Sequence, residues 1–379
     1  MLIAAITAIG FCINIYALPE ENVSDTLPPY LSAKCAILIN AEDGSAYFEK
    51  NADMRSGPAS TTKIMTALVA LGLCEPERIL TVPREAVGIE GSSVYLVEGE
   101  QLTLYELLCA LLLSSANDAA VAIAVCLSGS VDAFVEKMNF HAREMGLKDT
   151  HFANPHGLYS EDHYTTAREL ALITAEALRS KTVSDIVGMK KTTIPHDGTP
   201  DKRLLVNHNR MLSSYDGAIG VKTGFTKKTG RTLVSAAERD GLRLIAVTLD
   251  APDDWRDHTL MLDYGFATYE RVEFYLPEEF SYELPLSDGN KDTVRLTNTE
   301  PLYLTLKKGY GKPSERIDAS SRFLIAPTRK GDLFGNLTVT VGEYSVSSPL
   351  AVSESTNAKT KPKKGFFERI KSFFSIELQ

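Results

Sequence analysis

The chain of 379 residues carries a net charge of -9, and 44% of its residues are hydrophobic. This length predicts two or more domains with one sizeable core, and the acidic balance excludes the basic surface that binds duplex nucleic acid. The five cysteines lack CxxC spacing and the seven histidines lack HExxH spacing, so neither a disulfide framework nor a metal site is indicated. We therefore interpret His156 and His163 as loop residues rather than metal ligands.

The first eighteen residues, MLIAAITAIGFCINIYAL, are apolar but are interrupted by Thr7, Gly10 and Asn14. This run is too short and too broken for a membrane span, and residues 1–17 are expected to be an export signal. The usual basic start of such a signal is missing, because no Lys or Arg precedes Lys34. A buried N-terminal helix is the alternative.

The next segment alternates between strand and helix patterns. Residues 33–51 predict two strands joined by a turn at Asp43-Gly44, and Pro58 marks the start of a long apolar helix. Further helical patterns follow, then three strand-like runs and a closing helix in DDWRDHTLMLDYGFATY. Strands at both ends with helices between them predict one antiparallel sheet that carries a helical insertion, an α/β domain of the α+β kind.

The composition changes near Val272. Short alternating runs such as YLTL and NLTVTVGEYSV predict a separate all-β module at residues 272–350. The polar residues 351–364 are interpreted as a linker. Residues 365–379 predict an amphipathic helix that lies on an anionic membrane surface, with docking on protein as the alternative. Its apolar face contains Phe366, Phe367, Ile370, Phe373 and Phe374.

The first chemical motif is ASTTK. Ser60 and Lys63 stand three residues apart at a predicted helix start, so their side chains can meet. A serine hydroxyl needs a nearby base to become a good nucleophile, and Lys63 can be that base only when it is neutral. About 0.04% of lysines with an ordinary pKa are neutral at pH 7, although burial and a second lysine would lower that pKa. Taken alone, the motif is more often a capping serine followed by a solvated lysine.

The second motif is a polar break in LLLSSANDAAVAIA. Ser114, Ser115, Asn117 and Asp118 interrupt a stretch that is otherwise apolar. Such side chains are costly to bury unless they are hydrogen-bonded or face a cleft. A junction of two helices that presents Ser115 and Asn117 to a pocket meets this condition, and so does a junction that is satisfied internally.

The third motif is Lys-Thr-Gly, which occurs twice. Residues 222–224 follow the apolar run GAIGV and are strand-like, whereas residues 228–230 fall where the strand must turn. A substrate-binding lysine should stand on a rigid element, so the first triplet is the candidate and the second is interpreted as a turn.

Together, S-x-x-K, S-x-N and K-T-G in this order are typical of penicillin-recognising serine acyl enzymes. The sequence resembles the D-alanyl-D-alanine carboxypeptidases, the low-molecular-weight penicillin-binding proteins of bacteria, over residues 30–270. The stretches FANPHGL and HYTTARELA also resemble that family. The resemblance implies a catalytic domain like those of serine β-lactamases and transpeptidases, followed by a small all-β domain.

The resemblance also implies roles for the motif residues. Ser60 would be the acylated nucleophile and Lys63 its general base. Ser115 would relay a proton to the leaving amine. Asn117 would hold the peptide of the substrate, and Lys222 would sit near Lys63 and Ser115.

On the substrate side, Thr223 would help to bind the terminal carboxylate, with Gly224 and Phe225 beside it. The backbone N–H groups of Ser60 and Phe225 would form an oxyanion hole. Arg256 is a further candidate for the carboxylate, and a surface charge beside two aspartates is its alternative.

The implied reaction removes the terminal D-alanine of a peptidoglycan stem pentapeptide through an acyl-enzyme, without a metal or organic cofactor. Stem peptides are the expected partners, and β-lactams are the expected covalent inhibitors. Export and the C-terminal helix together predict peripheral attachment to the outer face of the cytoplasmic membrane.

Three alternatives stay open from the sequence. A class A β-lactamase shares the motifs, but no E-x-x-L-N run is present and the added β domain argues against it. An endopeptidase or a transpeptidase would use the same residues on another bond or acceptor. A wall-binding protein without catalytic activity is the alternative from a different class.

Overall fold

A computed structural model describes residues 28–196 and 199–359. The expected export signal at residues 1–17 and the expected amphipathic helix at residues 365–379 lie outside the described residues. Of the linker expected at residues 351–364, the part from residue 360 onward lies outside them as well. The described part is not a linker: Ala351 and Val352 belong to the last strand, and the buried Thr356 is bridged to Thr328.

The described chain begins with strands and helices that alternate and ends with strands alone. The helices are α1 (Lys63–Leu73), α2 (Leu104–Leu113), α3 (Asn117–Ser128), α4 (Val131–Glu144), α5 (Ala167–Arg179), α6 (Lys181–Gly188), α7 (Met211–Ser214) and α8 (Asp254–Thr268). The first nine strands are β1 (Cys35–Asn40), β2 (Ala46–Lys50), β3 (Ile79–Thr81), β4 (Gln101–Thr103), β5 (Lys191–His196), β6 (Thr199–Val206), β7 (Ala218–Thr226), β8 (Gly230–Arg239) and β9 (Leu242–Leu249). The last eight strands are β10 (Tyr269–Tyr275), β11 (Tyr282–Ser287), β12 (Thr293–Asn298), β13 (Leu302–Lys307), β14 (Ser314–Ala319), β15 (Leu324–Ile325), β16 (Leu333–Val341) and β17 (Tyr344–Val352).

A five-stranded sheet forms the centre of the first segment. Its order is β2-β1-β9-β8-β7, and every neighbouring pair is antiparallel. The hairpin predicted near the start of the chain thus pairs with β9, and the helical segment lies between them in sequence. The predicted antiparallel sheet with a helical insertion is confirmed.

Both faces of this sheet are covered, which explains why β1 is apolar at consecutive positions. Side chains alternate between the two faces of a strand. Ile37 and Ile39 pack into the core formed with helices α1 to α6, whereas Ala36 and Leu38 pack with residues of α8. The sheet is therefore the middle layer between the helical insertion and α8.

The helix that precedes the polar break, α2, is fixed at its start by a capping box. The Thr103 hydroxyl accepts from the N–H of Glu106 at 3.2 Å, and the Glu106 carboxylate accepts from the N–H of Thr103 at 2.8 Å. Such a cap contributes about 1 kcal/mol. The helix ends at Leu113, and Ser114 to Asp118 follow it directly.

The remaining described strands, β10 to β17, form the predicted all-β region. Six of them form one sheet in the order β14-β16-β17-β12-β11-β15, while β10 pairs with β13. They enclose a separate core that includes Leu296, Leu337 and Leu350. A β-rich region after the catalytic segment is therefore confirmed.

Within the described ranges, no single helix combines the length and apolarity of a membrane span. Helices α3 and α4 together are long and apolar enough, but the pair is bent by 87° at its junction. The apolar residues of α3 from Ala119 to Ala124 are buried in the core next to the sheet.

Candidate active site

Ser60 lies in a 3-10 turn, Ala59–Thr62, that leads directly into α1. Pro58 was predicted to start a helix, and it does, but the first turn is not α-helical. The Pro58 carbonyl accepts from the hydroxyls of Thr61 at 2.6 Å and Thr232 at 3.0 Å, so it is occupied by side chains. Ala59 has a φ of +49°, which turns the backbone and presents Ser60 to a cleft of about 340 Å³.

Lys63 is fully buried beneath Ser60. Its Nζ lies 3.2 Å from the Oγ of Ser60, 2.7 Å from the Oδ1 of Asn117 and 2.5 Å from the carbonyl oxygen of His156. Burial and the charge of Lys222 lower the pKa of Lys63 well below its usual range. A neutral amine has two N–H donors and one lone pair. It can donate to Asn117 and His156 while accepting the proton of Ser60.

Lys222 is the second buried lysine and stands on β7. Burial lowers its pKa to about 7, and its Nζ donates to the carbonyl oxygen of Thr223 at 2.9 Å. Since two like charges in one site disfavour each other, the charge of Lys222 makes the neutral form of Lys63 more favourable.

The polar break of the sequence is a junction between α2 and α3. Ser115 lies in this junction with a φ of +58°, is buried, and lines the same cleft as Ser60. Asn117 is the first residue of α3. Its Oδ1 accepts from Lys63, and its Nδ2 donates to the carbonyl oxygen of Glu90 at 2.7 Å.

Asp118, the last polar residue of the break, is satisfied internally. Its carboxylate accepts from the hydroxyl of Ser93 at 2.6 Å and from the N–H groups of Val94 and Leu96 at 3.1 Å. These bonds hold the loop that contains Ser92, which lines the cleft. The pocket interpretation therefore applies to Ser115, whereas Asn117 and Asp118 are satisfied by internal hydrogen bonds.

The two Lys-Thr-Gly triplets occupy different structures. Residues 222–224 lie within β7, and Thr223, Gly224 and Phe225 line the cleft. In the second triplet, Lys228 is exposed in the turn between β7 and β8, with its Nζ 5.6 Å from the centre of the Tyr159 ring. The predicted distinction between a strand triplet and a turn triplet is what the structure shows.

Two glycines allow the backbone of Ser60 to be enclosed closely. A Cβ on Gly224 would lie 2.9 Å from the Ser60 nitrogen, so β7 approaches Ser60 from one direction. A Cβ on Gly157, which has a φ of +92°, would lie 1.9 Å from the Ala59 carbonyl oxygen. Neither position has room for a side chain unless the Ser60 turn moves.

The two histidines interpreted as loop residues support this turn. His163 is buried, and burial lowers its pKa to about 3, so it is neutral near pH 7. Its Nδ1 accepts from the N–H of Ala153 at 3.0 Å, and its Nε2 lies 2.7 Å from the hydroxyl of Thr62. His156 contributes a carbonyl oxygen to Lys63. No group of metal-ligating side chains occurs in the part of the chain that the structure describes.

The arginines that line the cleft are Arg210 and Arg231, and Arg256 is not among them. Arg256 is exposed on α8, and it is absent from the described residues that line the cleft. Sequence reasoning missed the residues that do line it beside the motifs, because their placement depends on the pairing and packing of separate elements. These residues are Ser92, His208, Arg210, Arg231, Asp254 and Trp255.

Comparisons with known proteins agree with this geometry. The profile of the D-alanyl-D-alanine carboxypeptidases, peptidase family S11, matches residues 22–253. The chain is 34% identical over 332 residues to D-alanyl-D-alanine carboxypeptidase DacF of Bacillus subtilis (strain 168), covering 85% of each chain. It is 30% identical over 379 residues to DacA of Escherichia coli (strain K12), covering 94% of this chain and 91% of DacA. Penicillin binding protein 5 from Haemophilus influenzae superposes with a TM-score of 0.68 at 28% identity, covering 87% of this chain and 99% of that structure.

The enclosure of Ser60 predicts that Gly157→Ala damages the site. The new Cβ meets the Ala59 carbonyl, so we expect a loss of roughly 2–4 kcal/mol in the free energy of unfolding and slower acylation of Ser60. Gly146→Ala is the matched control. Gly146 also has a positive φ, +75°, but a Cβ there would meet nothing within 4 Å, so only about 1 kcal/mol is expected. Equal losses in denaturant unfolding of the two variants would contradict this account.

The burial of Lys222 predicts that Lys222→Met makes the protein more stable at low pH. The folded pKa is about 7, below the ordinary value of about 10.4, so the folded protein binds fewer protons than the unfolded chain between these values. Burying the charged amine of Lys222 therefore lowers the free energy of unfolding. This cost is fully present below pH 7 and disappears as the pH rises toward 10.4. Lys222→Met should therefore gain at most about 5 kcal/mol below pH 7, and the gain should shrink with rising pH.

Unfolding curves of Lys222→Met, Lys228→Met and the parent protein at several pH values measure this effect. Lys228 is exposed in the turn, so its replacement should change the unfolding free energy by less than about 0.5 kcal/mol at every pH. A gain for Lys222→Met that grows with pH would overturn the sign argued here.

Proposed function

The chain belongs to the family of D-alanyl-D-alanine carboxypeptidases, and we propose that it removes the terminal D-alanine of peptidoglycan stem pentapeptides through an acyl-enzyme on Ser60. The contacts of Lys63 carry this proposal. The buried Nζ has one partner whose proton it can take, Ser60, and two that can only accept from it, the Asn117 and His156 oxygens. The arrangement therefore supports a neutral base next to the hydroxyl that it activates.

In the first step, the Oγ of Ser60 attacks the carbonyl carbon of the penultimate D-alanine while Lys63 takes the hydroxyl proton. Negative charge develops on the carbonyl oxygen. The N–H groups of Ser60 and Phe225 would stabilise it, and the close approach of Gly224 on β7 to the Ser60 nitrogen supports this assignment. The loss of one such donor costs about 3–4 kcal/mol of barrier in other enzymes.

In the second step, the bond to the terminal D-alanine breaks and its amine takes a proton. Ser115 lines the cleft together with Ser60, so its hydroxyl can pass the proton from Lys63 to the leaving amine. Asn117 keeps Lys63 in place through its Oδ1, while its Nδ2 donates to the carbonyl oxygen of Glu90. Water then attacks the ester on Ser60 with Lys63 as the base again, and the shortened peptide leaves.

Lys222 acts on this cycle through its charge and its position. It lies within β7 between the core and the cleft, and its charge helps to keep Lys63 neutral. Thr223, the next residue, lines the cleft, and its hydroxyl would bind the carboxyl end of the substrate. A β-lactam would acylate the same serine, but its leaving amine remains tethered to the acyl group.

The first experiment is intact-mass analysis after exposure to a fluorescent penicillin. We expect one covalent adduct per chain that is absent in Ser60→Ala, and release of D-alanine from a pentapeptide by the parent protein only. Lys222→Met should lose D-alanine release, whereas Lys228→Met, its partner from the turn triplet, should retain it. An adduct that persists in Ser60→Ala would place the nucleophile elsewhere. A folded parent protein without any adduct would favour wall binding without catalysis.

The proposal includes a place of action outside the cytoplasm. The apolar residues 1–17 support export. Residues 365–379 combine the apolar face described above with Arg369 and Lys371, which suits attachment to an anionic membrane. The attached enzyme would then work at the outer face of the cytoplasmic membrane, where its stem-peptide substrates are assembled into the wall.

Vesicle flotation of the chain from residue 28 onward tests the attachment. We expect it to float with vesicles that contain anionic lipid and much less with neutral ones, because the flanking Lys363 and Lys364 add charge attraction. A variant that ends at Lys364 is the control and should stay in the soluble fraction. Flotation of both forms to the same extent would assign the attachment to another part of the chain.

A further inference from the structure

One end of the all-β region exposes three large apolar side chains. Phe323 is 48% exposed, Ile325 is 61% exposed and Leu333 is 68% exposed. The N–H of Ser320 donates to the carbonyl oxygen of Phe334 at 3.2 Å, so Phe323 and Leu333 lie within a few residues of the same bond. Ile325 follows in the short strand β15. These three side chains are called the distal patch, and such a cluster indicates a surface that meets a partner.

The described chain ends next to the distal patch. The N–H of Ala326 donates to the carbonyl oxygen of Ser287 at 2.9 Å, and the N–H of Lys359 donates to that of Asp288 at 2.7 Å. Ile325 and the final described residue are thus attached to neighbouring residues of one segment. Residues 360–379 therefore begin beside the distal patch.

Exposed basic side chains accompany the distal patch. Arg322, Arg329 and Lys330 are all exposed. Lys330 lies 3.7 Å from the carboxylate of Glu278, whereas neither arginine side chain has an ion pair or a hydrogen bond within the described part of the chain. The acidic neighbour Asp332 accepts from the backbone N–H of Arg329 at 2.8 Å. Two cations beside the apolar side chains are thus open to an outside anion.

The distal patch lies at the other end of the β region from the catalytic segment. Val346 and Ser347, near the start of β17, line a cavity together with Asn40 of β1. Ala351, near the end of the same strand, is paired with Leu333. With a rise of about 3.4 Å per residue, the strand separates these two places by about 14 Å.

We propose that the distal patch is a second membrane contact, which inserts Phe323, Ile325 and Leu333 into the headgroup region of an anionic bilayer. The inference rests on the membrane attachment proposed for residues 365–379 and deepens it. One weak anchor gives only reversible binding, whereas two weak anchors together bind stably. Contact at both points also restrains the β region, so the catalytic segment is held on its far side from the bilayer.

The charge pattern favours an anionic lipid surface over two other occupants of the distal patch. Four of the six residues 359–364 are lysines, and they would repel Arg322 and Arg329 if the C-terminal segment folded back. A second copy of the chain, joined through the same surface, would bring identical cations together. Anionic lipid headgroups instead attract both groups of basic side chains.

The first test places a tryptophan in the distal patch of the chain from residue 28 onward. Phe323→Trp is compared with Ile79→Trp, because Ile79 is 62% exposed on the catalytic segment. With vesicles that contain anionic and brominated lipid, we expect Phe323→Trp to lose a larger share of its emission than the parent protein, whose single tryptophan is Trp255. Ile79→Trp should show no such extra quenching. Equal quenching in both variants would overturn the proposal.

The second test measures binding to anionic vesicles after the distal patch is made polar. Changing Phe323, Ile325 and Leu333 together to Ser should weaken partitioning roughly 10-fold, while D-alanine release in solution stays unchanged. The matched control changes the same three residue types on the catalytic segment to Ser, at positions of similar exposure: Phe140, Ile79 and Leu204. The control should bind like the parent protein, and equal weakening of both variants would contradict a specific contact.

The remaining outcomes separate this inference from the attachment on which it rests. A parent chain that binds no anionic vesicles would overturn both, whereas binding that ignores the Ser substitutions would overturn the distal patch alone. Sedimentation without lipid covers a second copy, since a parent dimer that the Ser substitutions dissociate would assign the patch to it. Blue-shifted emission of Phe323→Trp without lipid, lost when the chain ends at Lys364, would assign it to the C-terminal segment.

Discussion

The desolvation of two lysines between the helical insertion and the central sheet is the constraint on which the site depends. Lys63 comes from the start of α1 and Lys222 from β7, and both are buried. In water each would be almost entirely protonated and useless as a base. The protein excludes water from both amines and accepts the cost in stability, which is a common exchange at active sites. The surrounding packing must be rigid enough to maintain it.

That rigidity comes from segments that are far apart in the sequence. The turn that carries Ser60 is bounded by Gly224 on the sheet side and by Gly157 on the loop side. Asn117, from the junction of two helices, and the carbonyl of His156 hold the amine of Lys63. The antiparallel sheet makes this possible, because it brings the first and last strands of the catalytic segment together beneath the insertion.

The sequence predicted the parts of the site that depend on local spacing. Ser60 and Lys63 are three residues apart on one turn, and the apolar runs beside Ser115 indicated a break between helices. Strand and turn patterns separated residues 222–224 from residues 228–230. That Arg231 lines the cleft was not predicted, because its position depends on which residue of β8 lies opposite Phe225. Strand register is set by long-range packing and turn geometry, which a single sequence does not display.

The same sheet order has a kinetic consequence. β1 is a central strand, yet it pairs with β9, where Cys35 lies opposite Leu249. The chain must therefore close a very long loop before the sheet is complete, which makes folding slow in comparison with a protein of local contacts. Until then the apolar strand CAILIN has an unpaired edge and a risk of aggregation. Early exposure of this segment is the cost of building a catalytic cleft from the two ends of one domain.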